Sequence, residues 1–382
     1  MIIDFVITEL DVGGAEKNLV TLAKGLQQRG DDVRVFSLWR LPGRDRPHAR
    51  PSGQAGQDSL VRDLTAAGIP CVGGRGESPL DFPGTLNQLR RWLVRRRGGV
   101  CQSFLIHANI ASGWLAKRCG KEAWVAGLRV AEPGRFRNRW ERRALHRADA
   151  VACVSRGVQH FAQHELAVQP DLVTVIPNAV DATPVNSANA FDWSPIGWPK
   201  DSEVVLFVGR LHPQKGIDLL QRQIDAIAPS GSKRRLLLVG DGPLRSDLEA
   251  WAAKLGPQRA CVLGWQADLA PFYRGSRLLV LPSRFEGMPN AVMEAMAAGL
   301  PVVCTRTEGI PDLLGDQTPQ VVPVDDDASF ADRVVSLMEC AEHRKRLGDA
   351  NRQRVLQVFS VDAMVDRYRA LYASLLDRTS PR

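Results

Sequence analysis

The stretch RLLVLPSRFEGMPNAVMEAMAAGLPVV, residues 277–303, holds a complete strand, loop, helix and second strand. An apolar run leads into a Gly-Met-Pro-Asn loop, and AVMEAMAAG has a helical composition that Gly299 and Pro301 would end. Glu286 therefore follows a strand directly, and Glu294 lies in the helix. Because open α/β sheets bind ligands at the carboxyl ends of their strands, this pattern predicts a binding site here.

The same alternation of strand-like and helix-like runs continues along the chain. It includes IIDFVIT and GAEKNLVTLAKGLQQRG near the start, and EVVLFVGR and RLLLVGDG in the second half. This rhythm indicates βαβ units and parallel sheets. The predicted fold class is α/β, with two doubly wound Rossmann-like halves that face each other across a cleft.

The alternation breaks in residues 182–202, which are rich in Pro, Ser and Asn and have no periodicity. We therefore predict one domain at residues 1–180, an interdomain linker at 181–202 and a second domain at 203–357. An amphipathic C-terminal helix is predicted at 358–382.

The composition is that of an ordinary globular protein, with 44% hydrophobic and 24% charged residues. No apolar run approaches the ~20 residues of a membrane span, and the segment MIIDFVITEL lacks the basic region of a signal peptide. The seven cysteines are scattered without metal-site spacing. These features predict a cytoplasmic protein.

The net charge of +8 is carried by the first half of the chain. Residues 1–178 contain 26 Lys and Arg against 17 Asp and Glu, and the excess is densest at residues 89–97 and 135–147. These helix-like stretches fit solvated faces, and they equally fit an anionic acceptor or an anionic membrane surface. Each basic residue near such a membrane contributes about 1 kcal/mol. No nucleic-acid-binding motif accompanies the charge, so nucleic acid is not an expected partner.

Two further strand ends carry groups suited to an anion. FVGRLHPQKGIDLL, residues 207–220, places Arg210 and Lys215 between a strand and a helix, and two cations with helix-start amides fit a diphosphate. The turn at Gly240 in VGDGPLR is a weaker signal. Gly13 and Gly14 follow the first strand, where backbone amides can approach a phosphate or sugar, but the GxGxxG spacing of a dinucleotide site is absent.

The Asp-rich stretch VPVDDDASFADRV, residues 322–334, precedes a helix. Aspartates in that position are expected as N-caps and as partners of the helix dipole rather than as metal ligands. We therefore expect neither a metal site nor a cofactor.

Seven segments, taken together and in this order, resemble the retaining GT-B glycosyltransferases of glycosyltransferase family 4. They are GGAEKNLVTLAKGL, VSRGVQHF, VIPNAVD, GRLHPQKGIDLL, LVGDGPLR, VLGWQADLAPFY and PSRFEGMPNAVMEAMAAGLPVV. The Glu-x7-Glu spacing of the last segment is the most specific feature. The resemblance implies that the first domain binds the acceptor and the second binds a nucleotide sugar. It also implies that the terminal helix crosses back to the first domain, although periodicity alone also allows it to stay with the second.

The resemblance implies a role for each site residue. Arg210 and Lys215 would bind the diphosphate and stabilise the leaving group, Glu286 would hold hydroxyls of the donor sugar, and Glu294 those of the ribose. Transfer would retain the anomeric configuration and need no metal. The implied donor-binding residues are Gly14, Gly240, Leu263, Gly264, Trp265, Gly287, Met288, Pro289, Asn290 and Glu294.

The chain departs from the family on the acceptor side. Where many relatives carry a histidine, VAGLRVAEPGRF offers Arg129 and Glu132, so Arg129 is either a catalytic residue or half of a structural salt bridge. FLIHANIASGW adds His107 and Asn109 at a strand end. With Gly13 they are candidate acceptor-side residues, although a lone histidine more often packs or caps.

A third departure is TEGIPDLL, which has Glu308 and Asp312 where relatives tend toward Gly-Gly and Glu. It is expected to alter contacts to the phosphate or sugar of the donor.

The predicted function is transfer of a sugar from a UDP- or GDP-sugar to a lipid-linked or polysaccharide acceptor, as in polysaccharide or lipopolysaccharide biosynthesis. Such a protein would work peripherally at the inner face of the membrane. Two alternatives remain open: a non-catalytic nucleotide-sugar-binding GT-B protein, and a GT-B sugar-nucleotide epimerase, which would need no acceptor.

Overall fold

The structure is a computed structural model that describes residues 1–42, 58–76, 81–131 and 135–379. The chain divides into two compact units. One consists of Met1–Ala179 with Val361–Arg382, and the other of Val180–Ser360. Each unit is built on its own parallel sheet, as the alternation of strands and helices predicts.

The first unit contains a seven-stranded sheet with the order β3-β2-β1-β4-β5-β6-β7, in which every neighbouring pair is parallel. The order changes direction between β1 and β4, which makes this the switch point of the sheet. Its strands are β1 (Ile2–Ile7), β2 (Asp32–Trp39), β3 (Cys71–Gly76), β4 (Val100–Phe104), β5 (Ala123–Leu128), β6 (Ala150–Cys153) and β7 (Val173–Val175).

In the described part of this unit, six α-helices connect these strands: α1 (Gly14–Gln28), α2 (Ser59–Ala66), α3 (Phe82–Val94), α4 (Ile106–Leu115), α5 (Arg135–Leu145) and α6 (Arg156–His164). Since parallel crossovers are right-handed, α1 and α2 lie on one face of the sheet and α3, α4 and α5 lie on the other. The central strands are covered on both faces and therefore read as nearly continuous apolar runs.

The second unit contains a six-stranded parallel sheet with the order β10-β9-β8-β11-β12-β13. Its switch point lies between β8 and β11. The strands are β8 (Glu203–Val208), β9 (Arg234–Val239), β10 (Ala260–Leu263), β11 (Leu278–Leu281), β12 (Val302–Thr305) and β13 (Val321–Val322).

Nine helices belong to the second unit: α7 (Thr183–Ser187), α8 (Ile217–Arg222), α9 (Ile224–Ile227), α10 (Arg245–Leu255), α11 (Ala270–Gly275), α12 (Asn290–Ala297), α13 (Ile310–Leu314), α14 (Asp327–Glu339) and α15 (Ala341–Val358). Asp326 caps α14 by accepting a hydrogen bond from the Ser329 amide at 3.1 Å. This is the capping role that its sequence position predicts.

The terminal helix α16 (Val361–Thr379) packs against α1 and belongs to the first unit. The periodicity of its sequence is compatible with packing on either unit. Its buried Tyr372 donates a hydrogen bond of 3.1 Å to Gln102 in β4. Arg29 at the end of α1 forms salt bridges with Asp362 and Asp366 at the start of the helix. No helix within the described ranges combines the length and the apolar character that a membrane span needs.

Residues 181–202, predicted to be an interdomain linker, pack within the second unit. Trp193 and Trp198 are buried, and the Trp198 indole donates to the carbonyl oxygen of Pro257 at 2.6 Å. Phe191 stacks on Phe272 with ring centroids 4.4 Å apart. Three aromatic side chains thus anchor this stretch to the second unit. Its Pro, Ser and Asn content and its lack of periodicity gave no indication of that packing.

Candidate functional site

The residues with the strongest sequence signals meet at the switch point of the second sheet. β8 is followed by the segment 209–216, and the adjacent strand β11 is followed by the segment 282–289. Helices that leave two neighbouring strands toward opposite faces open a crevice at the carboxyl ends of those strands. Lys215 lies in the segment that follows β8, and Glu286 lies in the segment that follows β11.

Lys215 and Glu286 form a salt bridge across the two loops, in which the ammonium group donates to Glu286 Oε1. Ser283 Oγ donates to the same oxygen at 2.7 Å. The side chains of Lys215 and Glu286 are only 16% and 9% exposed, so water screens their charges weakly. A cation held in this way can bind an oxyanion that enters the loops.

The two loops are fastened together beside this pair by Gln214 and Arg284. Gln214 accepts from the Arg284 amide at 2.8 Å through its carbonyl oxygen and donates to Phe285 O at 2.9 Å through its side chain. The Arg284 guanidinium binds both carboxylate oxygens of Asp218, at 3.0 and 2.7 Å. These bonds fix the spacing between Lys215 and Glu286, and local sequence patterns did not indicate them.

Arg210 lies at the end of β8 and is exposed. Its guanidinium approaches the side-chain oxygen of Gln214 at 3.4 Å, which is a long contact. The side chain therefore lies beside the Lys215 loop and remains available to an incoming anion.

Glycines allow these strand ends to approach one another closely. A Cβ on Gly216, which has φ +64°, would overlap the carbonyl oxygen of Pro282 at the end of β11. A Cβ on Gly240, which has φ +149°, would overlap Gly209 O at the end of β8. The Gly240 amide also donates to Gly264 O at 3.0 Å, so the ends of β8, β9 and β10 share one backbone surface.

Leu263, Gly264 and Trp265, which the family resemblance implies as donor-binding residues, lie at the end of β10 and are half-buried. The guanidinium group of Arg245 lies against Gly264, since a Cβ there would come within 2.9 Å of it. Arg245 forms a salt bridge of 2.7 Å with Glu249. No local sequence signal indicated a role for Arg245, although it ends the VGDGPLR segment.

Glu294 lies on α12 and accepts a hydrogen bond of 2.8 Å from the Tyr273 hydroxyl. Burial and the nearby Glu294 charge raise the pKa of Tyr273 well above its ordinary value, so its hydroxyl stays protonated and orients the carboxylate. Between the two glutamates, Gly287, Met288 and Pro289 are buried, and Asn290 begins α12. Tyr273 was missed because its role depends on a contact 21 residues away.

The first unit places a second polar cluster after β1 and β5. Gly13 precedes α1, and a Cβ on it would overlap the carboxylate of Glu16. Gly14 is the first residue of α1. The Arg129 guanidinium donates to Asn178 Oδ1 and lies 5.3 Å from the Phe104 ring. Glu132, the alternative partner of Arg129, lies outside the described residues.

The two remaining candidates differ in accessibility. His107 is exposed and packs edge-on against Trp39, with ring centroids 6.4 Å apart. Asn109 is fully buried; it accepts from Ser103 Oγ and donates to Gly127 O and Glu141. A buried amide that is satisfied on both sides has a structural role, so the expectation that Asn109 contacts the acceptor is corrected.

Glu16 is the titratable group with the most unusual environment in this cluster. Burial raises its pKa to about 7, the charges of Glu9 and Asp11 raise it further, and a backbone hydrogen bond and Arg129 oppose the increase. No group of three or more His, Cys, Asp or Glu side chains suited to a metal occurs in the described ranges.

We expect Glu16→Gln to remove a pH-dependent component of stability. The pKa of Glu16 is higher in the folded state than its ordinary value of 4.5, so protonation stabilises the fold below that pH and the stabilisation is lost as the pH rises through about 7. Relative to the variant, the free energy of unfolding of the wild type should fall by about 3 kcal/mol between acidic and mildly alkaline pH. Urea unfolding at a series of pH values measures this, and parallel profiles for the two proteins would contradict it.

Comparisons with known proteins give the family of both halves of the chain. The family described as "Glycosyltransferase Family 4" matches residues 12–183, and the one described as "Glycosyl transferases group 1" matches residues 202–340. The lipopolysaccharide core biosynthesis glycosyltransferase LpsE of Rhizobium meliloti is 33% identical over 187 residues, which are 48% of this chain and 54% of that protein. The D-inositol 3-phosphate glycosyltransferase of Acidothermus cellulolyticus is 28% identical over 86% of this chain and 79% of its own.

The fold matches that of Anabaena HepE, solved in complex with UDP-glucose. The TM-score is 0.79 at 20% identity, and the match covers 98% of this chain and 100% of the other. At this identity the likeness concerns the fold, and it confirms the predicted GT-B class with its two doubly wound α/β units. With one family match in each unit, the chain belongs to glycosyltransferase family 4.

Proposed function

We propose that the protein transfers a sugar from a UDP- or GDP-sugar to a lipid-linked or polysaccharide acceptor, with retention of configuration and without a metal. The observation that carries the proposal is the weakly screened Lys215–Glu286 pair at the switch point of the second sheet. HepE, which shares the fold, was solved with UDP-glucose, and LpsE is described as a lipopolysaccharide core enzyme. Both support this choice of donor and acceptor class.

In the proposed reaction, Lys215 and Arg210 bind the diphosphate and stabilise the charge that develops as it leaves. Glu294, oriented by Tyr273, holds the ribose hydroxyls, and Glu286 holds hydroxyls of the transferred sugar. The backbone of Gly287, Met288 and Pro289 forms the floor under that sugar. Leu263, Gly264 and Trp265 contact the base.

Thermal-shift measurements with UDP, GDP and their sugar derivatives test the donor assignment. A ligand present at 100 times its Kd stabilises the folded protein by about 2.7 kcal/mol, which is readily detected. Glu294→Gln should weaken binding of the free nucleotide, whereas Glu286→Gln should leave it intact and impair sugar-dependent turnover. Finding the two effects interchanged would mean that the glutamates have been assigned the wrong way round.

A transfer assay identifies the acceptor and the chemistry. Radiolabelled donor is incubated with membrane extract, with and without a metal chelator, and the anomeric configuration of the product is read by NMR. Chelator-resistant transfer with retention supports the proposal. Tight donor binding without transfer to any acceptor would contradict it, and a changed sugar nucleotide formed without acceptor would indicate an epimerase.

We also propose that the protein binds an anionic membrane surface through the exposed parts of helices α3, α4 and α5. Trp140 on α5 is 50% exposed, and Trp114 on the adjoining helix α4 is 36% exposed. The exposed basic residues on these helices or within three residues of their carboxyl ends are Arg90, Arg91, Arg95, Arg97, Lys117, Arg118, Arg139, Arg142, Arg143 and Arg147. Tryptophan among arginines is the composition that suits an anionic membrane interface.

We expect the triple variant R139E/R142E/R143E to bind anionic vesicles about 100-fold more weakly, given about 1 kcal/mol per basic residue near the surface. The matched control is R62E/R367E/R378E, which changes the net charge equally on α2 and α16, the helices that pack beside α1. Co-sedimentation with phosphatidylcholine vesicles, with and without phosphatidylglycerol, gives the readout. Equal losses in both variants would show only a net-charge effect.

A further inference from the structure

Glu308 lies beside the loop that carries Glu286, in the turn that follows β12. One of its carboxylate oxygens accepts a hydrogen bond of 3.0 Å from the Glu286 amide. The next residue, Gly309, packs directly on this loop, because a Cβ there would overlap the carbonyl oxygen of Gly287. The carboxylate of Glu308 is therefore held against the part of the loop assigned to the donor sugar.

Glu286 and Glu308 differ in whether a cation compensates their negative charge. Glu286 is neutralised by Lys215 and receives a further hydrogen bond from Ser283. Glu308 forms no salt bridge with any residue of the described ranges. The nearest cation along the chain, Arg306, donates instead to Asp316 O at 2.6 Å. One negative charge thus remains uncompensated next to the sugar-binding loop.

The residue that precedes Glu308 carries a second polar group. Thr307 is only 5% exposed, and its hydroxyl oxygen is buried without a hydrogen-bond partner among the described residues. A buried hydroxyl of this kind gains from a ligand that can donate to it or accept from it. Sugar hydroxyl groups do both.

We propose that Glu308 selects a neutral, hydroxyl-bearing sugar on the donor and rejects a sugar that carries a carboxylate. A carboxylate accepts strong hydrogen bonds from hydroxyl groups, whereas a second carboxylate at the same place is repelled in a weakly screened environment. The proposal rests on the proposed function, since it needs the donor sugar at Glu286. The inference about Glu308 adds that the transferred sugar is a neutral hexosyl group and not a hexuronosyl group.

The test compares binding of UDP, UDP-glucose and UDP-glucuronate by calorimetry, or of GDP, GDP-mannose and GDP-mannuronate if the protein prefers GDP. The wild type should bind the neutral sugar nucleotide at least about tenfold more tightly than the acidic one. Glu308→Gln keeps the shape and an acceptor for the Glu286 amide but loses the charge. It should bind the acidic donor about tenfold more tightly and the neutral donor more weakly, because charge-assisted hydrogen bonds are lost.

Asp316→Asn is the matched control, because it removes an equal charge from an exposed residue just beyond α13 and should leave the ratio of the two affinities unchanged. Equal affinity of the wild type for both sugar nucleotides, or an unchanged ratio in Glu308→Gln, overturns the role of Glu308 alone. Failure of both free nucleotides to bind overturns the proposed function, and this inference with it.

Discussion

Lys215→Ala is expected to lower turnover by about 10²–10³, the usual loss when one preorganised group that stabilises a developing negative charge is removed. Two effects act in the same direction. The departing diphosphate loses a weakly screened cation, and the Glu286 carboxylate, only 9% exposed, is left without its counter-charge. An unpaired carboxylate beside the phosphate repels it, so donor affinity should fall together with turnover.

Steady-state kinetics with varied donor measure kcat and KM for this variant and for Arg210→Ala, which should show the same kind of loss. Lys233→Ala is a suitable control, since Lys233 lies in the same unit and forms an exposed salt bridge with Asp201. An exposed pair of this kind contributes little, so its removal should leave both constants unchanged. Near-normal kinetics in Lys215→Ala with an intact fold would refute the assignment of the diphosphate site.

The sequence predicted the two α/β halves because each buried strand is a short apolar run followed by a helix with a clear end. It also placed Lys215 and Glu286 at strand ends. It could not show that they touch, because they are 71 residues apart and meet only through the order of β8 and β11. Strand order is a property of the sheet, and here the family resemblance supplied what local patterns could not.

Other features depend on side-chain contacts that have no local signature. The Arg284–Asp218 bonds and the Tyr273–Glu294 bond join loops and helices that are distant in the chain. Asn109 looked accessible because it follows a strand, yet its side chain turns inward to Gly127 and Glu141. A pattern of residue types gives the position along an element but not the direction of the side chain.

The local sequence pattern also did not predict a charged cluster inside the first unit. Asp4 lies in the buried strand β1 and is fully inaccessible to solvent. Its carboxylate accepts from Arg34 at 2.7 and 2.8 Å, from Arg96 at 2.6 Å and from Lys121 at 2.5 Å. Lys121 has a fully buried side chain as well, so the Asp4 carboxylate lies among three cations in a weakly screened environment.

We expect Asp4→Asn to destabilise the protein by about 3–5 kcal/mol, the range for removing one member of a buried ion pair. The amide keeps the shape of the carboxylate but leaves Arg34 and Lys121 without a counter-charge, and Arg96 with only the exposed Asp32. Asp32→Asn is a matched control, because Asp32 binds the same Arg96 at 2.7 Å while its side chain is 66% exposed. Asp32→Asn should lower the free energy of unfolding by less than about 1 kcal/mol. Urea unfolding of both variants gives the comparison.

The pH dependence separates loss of this charge from a general packing defect. Burial opposes ionisation of Asp4, but the hydrogen bonds and charges of Arg34 and Lys121 outweigh it and hold its pKa below the ordinary 3.8. Its stabilisation is therefore complete at neutral pH and is lost as the pH falls through that lowered value. The wild type should approach Asp4→Asn in stability as the solution becomes strongly acidic. A difference that stays constant with pH would mean that the amide disturbs packing instead of removing the charge that holds the three cations in place.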